Sequence, residues 1–100
     1  MPVARRPGPR RTVTRVQTGV RMEKRILLVL KGLAGTLDLS LGDLLEGIVL
    51  HSFAGKAPFS PETLAKIDAL KQVYGLDLTA EDSHRLREAP RARIPVRPKG

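Results

Sequence analysis

Asp82, Ser83 and His84 stand side by side, and together they hold the three groups of a nucleophilic triad: a carboxylate, a hydroxyl and an imidazole. Neighbours on one helical turn point in different directions, so this run does not supply a nucleophile held by a base that a third group orients. The other histidine, His51, is distant in the chain, and two histidines so placed suggest no metal site. There is no cysteine, which excludes a disulfide scaffold and thiolate-held zinc or iron–sulfur centres. No catalytic constellation remains. The reading is of a protein that is not an enzyme and carries no cofactor and no metal.

The chemistry that does recur is that of guanidinium and ammonium groups, and its placement is uneven. Residues 1–25 hold eight Lys/Arg and one acid, a net +7. Residues 26–84 hold four Lys against eight acids, a net −4, and residues 85–100 hold six Lys/Arg against one acid, a net +5. The whole chain carries +8. A mildly acidic middle between strongly basic ends is the charge pattern of nucleic-acid-binding arms. The plainer use of such tails is to keep a small protein soluble.

The elements that must position these cations follow from pattern and composition. One hundred residues allow one small domain, and with only Phe53, Phe59 and Tyr74 as aromatics its core must be built from Leu, Ile and Val. A core that size is limited, and association is a common remedy. No apolar run approaches transmembrane length and no signal-peptide segment follows the basic start, so a cytoplasmic protein without a membrane partner is expected. The Pro- and Arg-rich start reads as a disordered basic arm over 1–12, and 89–100 as a disordered basic tail.

Between them, Val16 to Met22 alternates with period two, which predicts a strand: Val16, Thr18, Val20 and Met22 on one face, Gln17, Gly19 and Arg21 on the other. A first helix is predicted from Glu23 to about Leu37, apolar nearly all round because Leu28 and Val29 widen its stripe. Gly32 and Gly35 inside it either permit close packing or mark its fraying end. Ser40 caps a second helix with the stripe Leu41, Leu44, Leu45, Ile48, Val49 and Ser52 or Phe53, which Gly55 ends. Ser60, Pro61, Glu62 and Gly75 bound a third helix whose predicted buried face is Leu64, Ile67, Leu70, Val73 and Tyr74. Thr79 caps a short fourth.

Strand, helix, capped turn and helix within Arg15 to Phe53 resembles the Arc/MetJ/CopG-type ribbon-helix-helix family. The resemblance covers about two-fifths of the chain. It implies a mainly α fold, a ribbon-helix-helix dimer over 13–55 in which the single N-terminal strand pairs between chains; the one or two extra helices of a C-terminal extension over 56–88 are read from the residues alone and lie outside the resemblance. It also implies that the outward strand face enters the DNA major groove. Gln17, Gly19 and Arg21 are then the base-reading positions, since Arg matches guanine O6/N7 and Gln matches adenine N6/N7. Gly19 departs from the family's usual polar side chain there. Ser40, Leu41 and Gly42 become the phosphate clamp at a helix N-terminus, and Arg15, Arg5, Arg6, Arg10 and Arg11 contact phosphates.

The function so implied is that of a homodimeric, sequence-preferring double-stranded DNA-binding protein: a transcriptional regulator, a repressor or an antitoxin-like autoregulator. The alternative is a helical interaction module that takes a protein partner through residues 60–88 and binds DNA only weakly.

Overall fold

Each helix of this chain begins where a side-chain oxygen takes up backbone N–H groups that the helix itself leaves free. A computed structural model describes residues 10–90 and holds three α-helices: α1 (Lys24–Thr36), α2 (Leu41–Phe53) and α3 (Pro61–Tyr74). The Glu23 carboxylate caps α1, accepting from the backbone N–H of Arg25 at 2.8 Å and of Ile26 at 3.0 Å. The Ser40 hydroxyl accepts from the Asp43 N–H at 3.1 Å to start α2, and that of Ser60 from the Thr63 N–H at 3.2 Å to start α3. Pro61 costs α3 nothing in its first turn, where its missing N–H would have had no partner. Gly75 ends α3 at φ +66°, a left-handed conformation that glycine takes without steric cost.

α1 is the centre of the fold and packs against both α2 and α3, more extensively against α3. Leu33, 1% exposed, Ala34 and Leu44 form the buried cluster, and Leu30, Leu37, Ile48, Phe59, Ile67 and Leu70 close around it. Gly32 is where α3 approaches: a Cβ at this position would stand 2.9 Å from Leu70 Cδ2. Of the two uses open to the α1 glycines, Gly32 therefore serves close packing. Gly35 has open space around it.

The expected ribbon is overturned. Among the described residues there is no strand, and Val13 to Met22 runs exposed into α1. Period-two alternation sets which way side chains point, but a strand exists only when its N–H and C=O groups join a ladder. Here the alternating segment meets no second extended segment, and Val16 and Val20, placed by the pattern on a covered face, are 78% and 76% exposed. The ribbon-helix-helix dimer fold is replaced by a mainly α three-helix arrangement.

Smaller corrections have the same local causes. Glu23 lies at the cap of α1 rather than in its first turn. The fourth helix shrinks to one 3₁₀ turn, Ala80–Asp82, in which the Thr79 N–H donates to Asp82 Oδ2 at 2.8 Å. It ends before His84, whose φ of +66° is incompatible with helix continuation. Of the five residues predicted to bury α3, Ile67 and Leu70 pack on the core, whereas Leu64, Val73 and Tyr74 stay exposed. The expected arm over 1–12 and tail over 89–100 lie, for residues 1–9 and 91–100, outside the described residues.

Candidate nucleic-acid interface

The cations singled out by type fall into three groups once the chain is folded. Arg10 and Arg11 are exposed at the start of the described chain and have no carboxylate partner among the described residues. Arg5 and Arg6 lie outside the described residues. Arg15 and Arg21 each meet an acid from the helical body or its C-terminal segment.

Arg15 is drawn to the outer side of α2. Its Nε and Nη2 each donate to the Glu46 carboxylate at 2.8 Å, a two-pronged arrangement, and Nη2 stands 3.9 Å from Asp43 Oδ1. The hydrogen bond to Glu46, then its charge, raise the Arg15 pKa above the ordinary arginine value, and the same bond holds the Glu46 carboxyl below the usual carboxylate range. This contact brings Val13, Thr14 and Arg15 over Leu45, Val49 and Leu50, leaving an open groove of about 460 Å³. It also sets Arg15 beside the first turn of α2, which contains Leu41 and Gly42. Of the expected phosphate-contacting features, Arg15 thus reaches the first turn of α2 through Asp43. The Ser40 hydroxyl itself is occupied by the Asp43 N–H.

At the other end of the segment before α1, Arg21 pairs with Glu88, which the chain brings back after α3. The two line an open cleft of about 740 Å³ together with Lys24, Arg25 and Arg87, over the apolar side chains of Met22, Leu78 and Leu86. The sequence pattern alone does not mark Lys24, Arg25 or Arg87 as members of one site. The basic run after residue 84 was a signal for Arg87, but nothing in the spacing tells that it returns to Arg21. Gln17 and Gly19, between the two arginines, are exposed, and a side chain at Gly19 would meet nothing within 4 Å.

Arg25 has a structural part at the edge of this cleft. Its Nε donates to Glu23 Oε2 at 3.0 Å, while Nη1 donates to the Gly75 carbonyl at 3.1 Å and to Asp77 Oδ1 at 3.0 Å. One guanidinium thereby ties the start of α1 to the end of α3, and the Glu23 hydrogen bond leads in raising its pKa. Burial works to raise the Glu23 carboxyl, but Arg25 and the α1 backbone N–H groups together leave it below its ordinary value.

Among the described residues no three His, Cys, Asp or Glu side chains gather in a group that could hold a metal ion. Nor is any described helix long and apolar enough to cross a membrane. Compared with known proteins, the chain matches no family model, no curated protein and no solved structure. The resemblance to ribbon-helix-helix proteins rests on the residues of Arg15 to Phe53 alone.

Proposed function

We propose that the chain is a cytoplasmic double-stranded DNA-binding protein that acts as a homodimer in transcriptional regulation, with its cationic segment before α1 as the DNA-contacting part. One observation carries the reading. From Arg10 to Met22 the chain is without helix or strand, exposed and free of acids, and it presents Arg10, Arg11, Arg15 and Arg21 beside a helical body of opposite net charge. Phosphate contact needs accessible cations, and neutralising phosphates with Lys or Arg releases condensed counterions, which supplies most of nonspecific affinity. Arg10, Arg11 and Arg15 serve that role, together with the basic residues that precede them. The start of α2, where Ser40 precedes Leu41 and Gly42 and Asp43 stands 3.9 Å from Arg15, offers further backbone N–H donors to the same phosphates. Gln17 and Arg21 have the groups that distinguish base edges, and supply the sequence preference.

Association into a homodimer is supported by how little the single chain covers. Among the described residues Val29, Leu33, Ala34 and Leu44 are the buried hydrophobic ones, while Val49, Leu50 and Phe53 on α2 remain exposed. Small domains with limited cores commonly bury such faces by pairing.

A second reading is favoured by a different observation. Leu64, Val73 and Tyr74 on α3 and Leu86 beyond it are exposed, which suits a module that takes a protein partner through residues 60–88. Titrations at several salt concentrations, on a selected duplex and a random one, separate the two. For the DNA reading, Arg21→Ala weakens binding to the selected duplex by about 1–3 kcal/mol and to the random one much less. Deleting residues 1–11 weakens both alike and flattens the salt dependence by up to about 0.9 per lost phosphate contact. Equal, negligible effects of Arg21→Ala on both duplexes, with binding abolished by the deletion, would leave only sticky arms on an interaction module.

A further inference from the structure

Arginine recognises carboxylate and phosphate with the same planar fork of donors, so a carboxylate that fills the fork stands where a phosphate oxygen would. Both arginines of the Arg10–Met22 segment beyond Arg11 meet a carboxylate, Arg15 through two nitrogens of its fork and Arg21 through one. Glu46 takes Nε and Nη2 of Arg15 together, and Glu88 takes Nη2 of Arg21. The two acids come from separate parts of the chain, α2 and the segment after α3, yet each meets one of these two cations. Arg10 and Arg11 have no such partner among the described residues.

We propose that Glu46 and Glu88 are internal phosphate mimics that mask Arg15 and Arg21 in the free chain, so that DNA binds by exchanging phosphate for carboxylate at these two positions. The inference rests on the DNA-binding reading above and adds to it an order of events. Arg10 and Arg11 engage first because they have nothing to give up. Arg15 and Arg21 engage second, each at the cost of an ion pair. All four partners of these pairs are largely exposed, and exposed pairs are weak. The mask is therefore a threshold rather than a lock: strong enough to reduce nonspecific retention, weak enough for a duplex to displace.

The consequence is a measurable gain on removing either acid. Glu46→Gln and Glu88→Gln should each tighten binding to a duplex about two- to five-fold at moderate salt, as expected for loss of a competing surface pair. Glu62→Gln removes the same charge from the first turn of α3, away from either arginine pair, and measures what a change in net charge does by itself. In an Arg15→Ala background the gain from Glu46→Gln should shrink to that of Glu62→Gln, because the partner it unmasks is gone. Fluorescence titration of the full chain with a labelled duplex of mixed sequence reads all of these. If wild type binds and both Gln variants gain no more than Glu62→Gln, the mask is refuted and the DNA reading stands. If wild type fails to bind at any salt concentration but the Glu46→Gln/Glu88→Gln double variant binds, the acids act as a lock and the displaceable mask is overturned. If neither binds at any salt concentration, the DNA reading falls and the mask with it.

Discussion

α1 and α2 are each thirteen residues long, and each carries seven apolar side chains, but they are covered very differently. α1 buries Val29, Leu33 and Ala34 and lies against a helix on two sides. α2 buries Leu44 alone, and Phe53 at its end is 82% exposed. Composition does not make the difference. α1 presents a backbone that a neighbour can reach, through Gly32, and it is tied to the end of α3 by Arg25. α2 has α1 on one side, and among the described residues its outer side meets the short stretch of chain that Arg15 draws across it. An apolar helix is buried by what the rest of the chain can bring to it, and among the described residues the third helix, α3, goes to α1 and not to α2.

That contrast can be broken most sharply at Leu33. Leu33→Ala removes the most deeply buried side chain among the described residues and should destabilise the fold by about 2–5 kcal/mol in denaturant titration. A loss below about 1 kcal/mol would mean that the α1 centre is not the core.

The two α1 glycines give the next largest effect. Gly35→Ala adds a methyl to open space in a helix and should raise stability by about 0.5–1 kcal/mol. Gly32→Ala gains the same helical preference but pushes on Leu70 Cδ2, so its benefit should be visibly smaller. Equal thermal shifts for the two variants would remove the close α1–α3 approach from the account.

Acid acts more gently, and its sign is set by Glu23. Its carboxyl titrates lower in the folded chain than in the unfolded one, so the stability it contributes is fully present above the unfolded glutamate value, about 4.3. That contribution is lost as pH falls through the lower folded value. Melting of Glu23→Gln should consequently respond less than wild type to acidification over that window. A steeper response in the variant would contradict the capping and Arg25 contacts.

The smallest effect on the fold of a single chain belongs to the outer face of α2. Phe53→Ser should alter the stability of a monomer by no more than about 0.5 kcal/mol, as is usual for exposed positions. In the proposed homodimer the same change should lower the melting temperature in proportion to how far it promotes dissociation, and melting should depend on protein concentration. Melting independent of concentration in wild type would leave the α2 face simply exposed.

What the residues determined alone was local. Ser40, Ser60, Pro61 and Gly75 start and stop helices through hydrogen bonds and backbone conformations that span only a few residues, and each helix boundary they announce is found. The charge segregation that motivates the DNA reading is likewise a property of order along the chain. Pairing was not local. The alternation of Val16 to Met22 could not tell whether a second strand exists to complete a ladder, and the apolar spacing of α3 could not tell that Ile67 and Leu70 would be covered while Leu64 and Val73 were not. Only the folded chain decided that Glu46 meets Arg15 and Glu88 meets Arg21, because those contacts join residues far apart in sequence and depend on where the helices lie. Short-range hydrogen bonds are specified by the residues that make them. Coverage and ion pairing across the fold are specified by everything in between.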